Sequence, residues 1–106
     1  MRVLFDQGTP VPLRRHLQPY VVNTTAEQGW STVTNGDLLK LAEQEGYEVF
    51  VTTDQNLRYQ QNLTGRRLGI VVPMRTSWPR MQCHIPAIVA AVFRVVGGGY
   101  EEIEIG

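Results

Sequence analysis

Four short apolar runs punctuate the chain: Arg2-Val3-Leu4-Phe5-Asp6, Tyr20-Val21-Val22, residues 48–52, and Leu68-Gly69-Ile70-Val71-Val72. All four read as strands; the third and fourth are continuous rather than alternating, the pattern of a buried strand. Between them the period changes. Thr9-Pro10 predicts a helix start, with Thr9 as cap, Pro10 in the first turn, and Leu13 and Leu17 facing inward. Thr24 to Gly29 reads as a helical turn or loop. Asn35-Gly36-Asp37 opens a helix capped by Asn35, with Leu38, Leu41 and Ala42 as its buried stripe and Gly46 as its stop. Residues 56 to about 62 form a short polar helix, and Thr64 to Arg67 a turn. Ile85, Ile88, Val89, Val92, Phe93 and Val96 recur at helical spacing and predict an amphipathic last helix. Gly97-Gly98-Gly99 breaks it. Tyr100, Ile103 and Ile105 then form an edge strand, blunted by glutamates.

This alternation predicts a single α/β domain over residues 1–106, with a mainly parallel sheet covered by helices on both faces. The first run should lie beside residues 48–52, with 20–23 on one side and 68–72 on the other. Right-handed crossovers would distribute the helices.

Composition narrows the picture slightly. Hydrophobic residues make up 42% of the 106, enough for one core. No run approaches the roughly 20 residues that span a bilayer, so no membrane partner is expected. No secretory leader is visible, and the only cysteine, Cys83, excludes an internal disulfide; a cytoplasmic setting is the expectation. Cys83 reads as a packing residue. The ten basic and ten acidic residues balance, which argues against capture of nucleic acid by the overall field. Nine of the ten bases are arginine, the side chain suited to bidentate phosphate contacts.

The candidate chemistry lies at the ends of the runs. Asp6 follows the first and Asp54 the third, at the rim where open α/β sheets bind ligands. Asp37 stands at a helix start. Gathered together, such carboxylates favour Mg²⁺ or Mn²⁺, and metal-assisted phosphodiester cleavage is the chemistry they best support. Each has a simpler reading: Asp6 and Asp54 as turn caps, Asp37 as a charge favoured by the helix dipole. Spacing alone does not show that the three converge. Asn56, Arg58, Arg66 and Arg67 follow Asp54 closely and are candidate contacts to a phosphate backbone. No zinc-ligand spacing, phosphate loop or dinucleotide fingerprint is present.

Three segments resemble the PIN-like superfamily, in particular the small bacterial DUF5615 (Mut7-C-like) proteins. They are Val3-Leu4-Phe5-Asp6-Gln7-Gly8-Thr9-Pro10, Gly36-Asp37-Leu38-Leu39 through Gly46, and Val51-Thr52-Thr53-Asp54-Gln55-Asn56-Leu57. The resemblance covers about residues 1–72. It implies a compact PIN-like three-layer α/β/α fold with four or five strands, and Asp6, Asp37 and Asp54 meeting as catalytic metal ligands. It also implies a Mg²⁺- or Mn²⁺-dependent ribonuclease, a hydrolase often serving as the toxin of a toxin–antitoxin pair, with RNA and an antitoxin protein as partners. Gln7 stands where that family has glutamate, and Gln55 and Asn56 where a fourth acid is common. A non-cleaving module that binds RNA or protein is therefore the alternative. A homodimer built on Trp30 and Trp78 is a third reading.

Overall fold

The computed structural model describes residues 1–105. Five strands form one sheet: β1 (Arg2–Phe5), β2 (Val21–Thr24), β3 (Val49–Val51), β4 (Gly69–Pro73) and β5 (Gly99–Ile103). Their order is β2-β1-β3-β4-β5 and every pairing is parallel. The expected neighbours of the first run are thus the observed ones, and the C-terminal run is an edge strand. Parallel strands need covered crossovers, and the helices supply them on both faces, giving three layers.

Alternate strand residues feed two cores. Val3, Phe5, Val49, Val51 and Val71 face a 3-10 helix (Val11–Leu17), α3 (Trp78–Met81) and α4 (Ile85–Arg94). Leu4, Phe50, Ile70 and Val72 face α1 (Asn35–Gln44) and α2 (Leu57–Gln60). This division sets the hand of each connection. From β1 to β2 the chain steps one way over the first face. From β2 to β3 and from β3 to β4 it steps the other way over the second face, which is the same hand. From β4 to β5 it continues in that direction but crosses the first face, through α4. The last connection therefore has the opposite hand to the other three, and the expectation of uniformly right-handed crossovers does not hold. The chain makes this return through Gly97, Gly98 and Gly99, with φ of 88°, 125° and 132°. A side chain on Gly98 would press on the Arg66 carbonyl, and one on Gly69 would collide with the Val95 backbone. Glycine at both positions lets the end of α4 pass close against the start of β4.

Local chemistry explains most element ends. At the end of α1, Gly46 has φ 82°, its N–H donates to Glu43 O at 3.2 Å, and Tyr47 N–H donates to Ala42 O at 2.9 Å. That pair of bonds satisfies the last carbonyls of the helix. After β2, Thr24 N–H donates to Glu27 Oε1 at 2.8 Å and Glu27 N–H to Thr24 Oγ1 at 3.1 Å, a reciprocal cap that folds the turn. The Thr24 N–H, followed by Arg14, holds the Glu27 carboxyl below the usual range.

Five sequence expectations change. Thr9 does not cap the first helix; its hydroxyl turns back toward Asp6. Thr34, not Asn35, is the cap residue of α1. Leu39 is buried with Leu38 and Ala42, while Leu41 is only half-buried, because the helix turns its 38/39/42 face to the sheet. On α4 the buried stripe is Ile88, Ala91, Val92 and Val95, which leaves Phe93 and Val96 exposed. Phe93 packs edge-on to Tyr20, with ring centroids 5.4 Å apart. Cys83 is exposed in the turn before α4, where it packs nothing. Trp30 and Trp78 are half-buried against their own chain: Trp30 lies edge-on to Tyr47 at 6.1 Å, and Trp78 faces His16 at 6.2 Å. No helix among the described residues is long and apolar enough to cross a membrane.

Candidate functional site

Strand order decides where a ligand can enter. The chain leaves β1 over one face and leaves β3 over the other, yet the two strands are neighbours. Their outgoing loops therefore part, and a crevice opens at the C-terminal ends of the two strands. Asp6 follows β1 directly. Thr52, Thr53 and Asp54 follow β3 directly. The site thus lies at the centre of the sheet rather than at an edge.

Thr52 joins the two aspartates. Its hydroxyl donates to Asp6 Oδ2 and accepts the Asp54 backbone N–H at 3.1 Å. Thr52 is 1% exposed, so both bonds lie in a screened environment. The Thr9 hydroxyl lies 2.7 Å from Asp6 Oδ1 and 2.9 Å from the Val51 carbonyl oxygen, sharing one proton between two acceptors. Both Asp6 oxygens thus receive hydroxyl donors. A side chain on Gly8 would run into the Thr53 hydroxyl, so glycine permits the close passage of the loop after β1 past the loop after β3.

The Asp54 carboxylate is held from two sides. Oδ1 accepts the Asn56 N–H at 3.0 Å, and Oδ2 accepts Asn35 Nδ2–H at 3.0 Å. The first bond closes the turn into α2. The second brings the first residue of α1 to the rim. Gln55 Nε2–H donates to Met74 O at 2.7 Å, tying this loop to the end of β4.

Asp37 stands two residues beyond Asn35, exposed, with Oδ2 3.5 Å from the Thr34 hydroxyl. It is not part of the hydrogen-bonded group around Asp6 and Asp54. Asn35, not Asp37, is the α1 side chain that reaches Asp54. Among the described residues no three of His, Cys, Asp and Glu come together as a group that could hold a metal ion. Asp6 and Asp54, the two carboxylates linked through Thr52, are the candidate donors for a divalent cation. Mg²⁺ is commonly held by one or two carboxylates, with waters and substrate phosphates completing the shell. The pair suits that mode, since each carboxylate offers about four lone-pair sites and uses only part of them here.

The arginines divide between two rims. Arg66 and Arg67 precede β4, whose first residue pairs with Val49 and Gly99. They lie at the N-terminal ends of the strands, a strand length from Asp54, or on the order of 15 Å. Arg66 is tied to Glu43 at 2.8 Å, and Glu43 also accepts the Arg67 N–H at 3.1 Å. Nearness in sequence to Asp54 did not become nearness in space. Arg58 is at the other rim: it pairs with Glu102 at 3.3 Å, near the end of β5, and lies 4.7 Å from the Tyr59 ring centroid. Burial, reinforced by its hydrogen bond to Glu102, pushes the Tyr100 hydroxyl far above the usual tyrosine range. Asn56 is at the site through its backbone.

Sequence reading passed over Thr9, Thr52 and Asn35 as site residues. It also passed over Arg75, which is exposed just beyond the Met74 that Gln55 holds. For Thr52 and Arg75 the signal was present, since Thr52 directly follows β3 and Arg75 stands two residues past the end of β4. Asn35 gave none, because only the docking of α1 brings it to Asp54.

Comparison with protein-family models, curated proteins and solved structures finds no match for the chain.

Proposed function

We propose that the chain is a divalent-metal-dependent ribonuclease acting at the crevice between β1 and β3. The observation that carries this reading is the linkage of Asp6 and Asp54 through the buried Thr52 hydroxyl at the switch point of the sheet. Asp6 and Asp54 would hold Mg²⁺ or Mn²⁺. When bound, the ion would polarise a phosphoryl oxygen and lower the pKa of a water. The chain's own residues do the rest. Thr9, Thr52 and Asn35 orient the carboxylates, so that metal and substrate meet a set geometry. Arg58 and Arg75, the exposed cations of this rim, position the RNA backbone. Asp37 adds negative charge from the first turn of α1. The resemblance of residues 1–72 to PIN-like DUF5615 proteins supports the same reading, and with it the role of a toxin restrained by a partner protein.

One observation favours the second reading, a module that binds RNA or protein without cutting. Both Asp6 oxygens already accept hydroxyl donors, and two carboxylates hold a cation less firmly than three or four. An RNA-cleavage assay with Mn²⁺ separates the two. Wild-type protein should cut, Asp54→Asn should lose at least a hundredfold in rate, and Asp37→Asn should lose much less. RNA binding with no cleavage by wild type would establish the second reading. Equal cleavage by wild type and Asp54→Asn would refute the first.

A further inference from the structure

Beside Asp6 lies a pocket of about 160 Å³, bounded on one side by Asn35, which also holds Asp54. Asp6, Gln7, Thr25, Ser31 and Asn35 give it a polar lining, and Leu38 supplies an apolar patch at its base. Its volume resembles that of a cavity that accepts one six-membered ring, roughly 150 Å³. Thr25 is 2% exposed, and no protein group hydrogen-bonds its hydroxyl. Its backbone is fixed, since Thr25 N–H continues the sheet ladder to Phe5 O at 2.9 Å. Buried hydroxyls normally have partners. In its present rotamer the hydroxyl is enclosed; a 120° step about χ1 puts the methyl in that enclosed place and moves the hydroxyl to a second staggered position, so it can be presented to the pocket without moving the chain.

The chemistry of the lining selects among ligands. A free phosphate group would meet the Asp6 carboxylate and be repelled. A purely apolar ring would strand the Thr25 and Ser31 hydroxyls and the Gln7 amide. A neutral ring carrying hydroxyls suits every member: its O–H groups donate to Asp6 and accept from Thr25, Ser31 and Gln7, while its carbon face covers Leu38. Gln7 is already positioned: one Nε2–H donates to Ser31 O at 3.3 Å, and the second remains to donate to a ring hydroxyl.

We infer that this pocket is a ribose subsite, holding the sugar of the nucleotide next to the scissile phosphate and reading its 2′-hydroxyl through Thr25. The inference rests on the ribonuclease reading and adds the residue that distinguishes RNA from DNA. A 2′-hydroxyl both donates and accepts, as does a threonine hydroxyl, and its loss leaves Thr25 without a partner.

The test uses the full chain and fluorescently labelled RNA and DNA pentamers of one sequence, in EDTA to prevent cleavage. Wild type should bind RNA about tenfold more tightly than DNA, the size of one well-made hydrogen bond. Thr25→Val should lose that preference and leave DNA affinity unchanged. Thr25→Ser should keep it, which separates the hydroxyl from the packing. Equal binding of RNA and DNA by wild type, or an undiminished preference in Thr25→Val, would overturn the subsite and leave the ribonuclease reading standing if cleavage persists. Binding of neither pentamer, with no cleavage in Mn²⁺, would overturn both.

Discussion

Replacing Thr52 by valine tests the centre of the site without touching a carboxylate. Valine keeps the shape and removes the hydroxyl, which is why the exchange is not neutral. Two bonds are lost. The hydroxyl no longer donates to Asp6 Oδ2, a bond to an ionised group of about 1.5–3 kcal/mol. It also no longer accepts the Asp54 N–H at 3.1 Å, a neutral bond of about 0.5–1.5 kcal/mol. Asp6 is only half-buried and keeps its bond from Thr9, so water recovers part of the first loss. The expected cost is about 2–3 kcal/mol, a large share of the ~5–15 kcal/mol available to a domain of this size. With an m-value of about 1.5 kcal/mol per M, the urea midpoint should fall by about 1.3–2 M. Thr52→Ser retains the hydroxyl and loses one methyl, about 1 kcal/mol. Thr53→Val is the neighbouring control and should cost under about 0.5 kcal/mol, because Thr53 is only half-buried. A Thr52→Val midpoint within 0.3 M (roughly 0.5 kcal/mol) of wild type, or a serine variant as unstable as the valine one, would show that the hydroxyl does not link the two aspartates.

Other outcomes follow from the same geometry. Asp54→Asn should lower stability by about 1 kcal/mol in thermal melts, because its amide would turn an NH₂ toward a donor, either Asn35 Nδ2–H or the Asn56 N–H; a stabilised variant would mean that carboxylate repulsion outweighs these bonds. Gly69→Ala should cost about 3 kcal/mol or more, since its methyl would meet the Val95 backbone, which cannot rotate away; an unchanged melting temperature would contradict the close approach of α4. In salt-dependent binding assays, Arg58→Ala should weaken RNA binding and reduce the salt slope by about 1, whereas Arg67→Ala, at the opposite rim, should change neither. At alkaline pH the sign is set by tyrosines. Burial raises Tyr47, and burial with the Glu102 bond raises Tyr100, so folding favours their protonated forms. That stability is complete below the unfolded tyrosine pKa near 10 and is lost as pH rises above it. Tyr100→Phe should therefore flatten the fall in urea midpoint above pH 10.

How much of this was legible in the chain depends on the range of the forces involved. The runs at 49–51 and 68–72, unlike the edge strand β2 with its exposed Val21, declared themselves as buried strands because their members are almost all apolar, a local property. The stop at Gly46 was readable for the same reason: glycine alone takes φ 82° there without strain. Strand-end positions marked Asp6 and Asp54. The placement of arginines was not readable. Arg66 and Arg58 are eight residues apart in sequence, yet the crossover that joins the parallel strands β3 and β4 carries the chain from one rim of the sheet to the other between them. The face of α4 was misread at Phe93 and Val96 because periodicity gives a stripe but not its edges. Those depend on how the helix is set down, and here it lies over β4 with Val95 against Gly69. The hand of the last crossover had no local signal either, since hand belongs to the order of strands and faces. Thr52 shows the division most clearly: its place after a strand and its bond from the Asp54 N–H, two residues on, are local, but its bond to Asp6 exists only because β1 and β3 are neighbours, a contact between residues 46 positions apart.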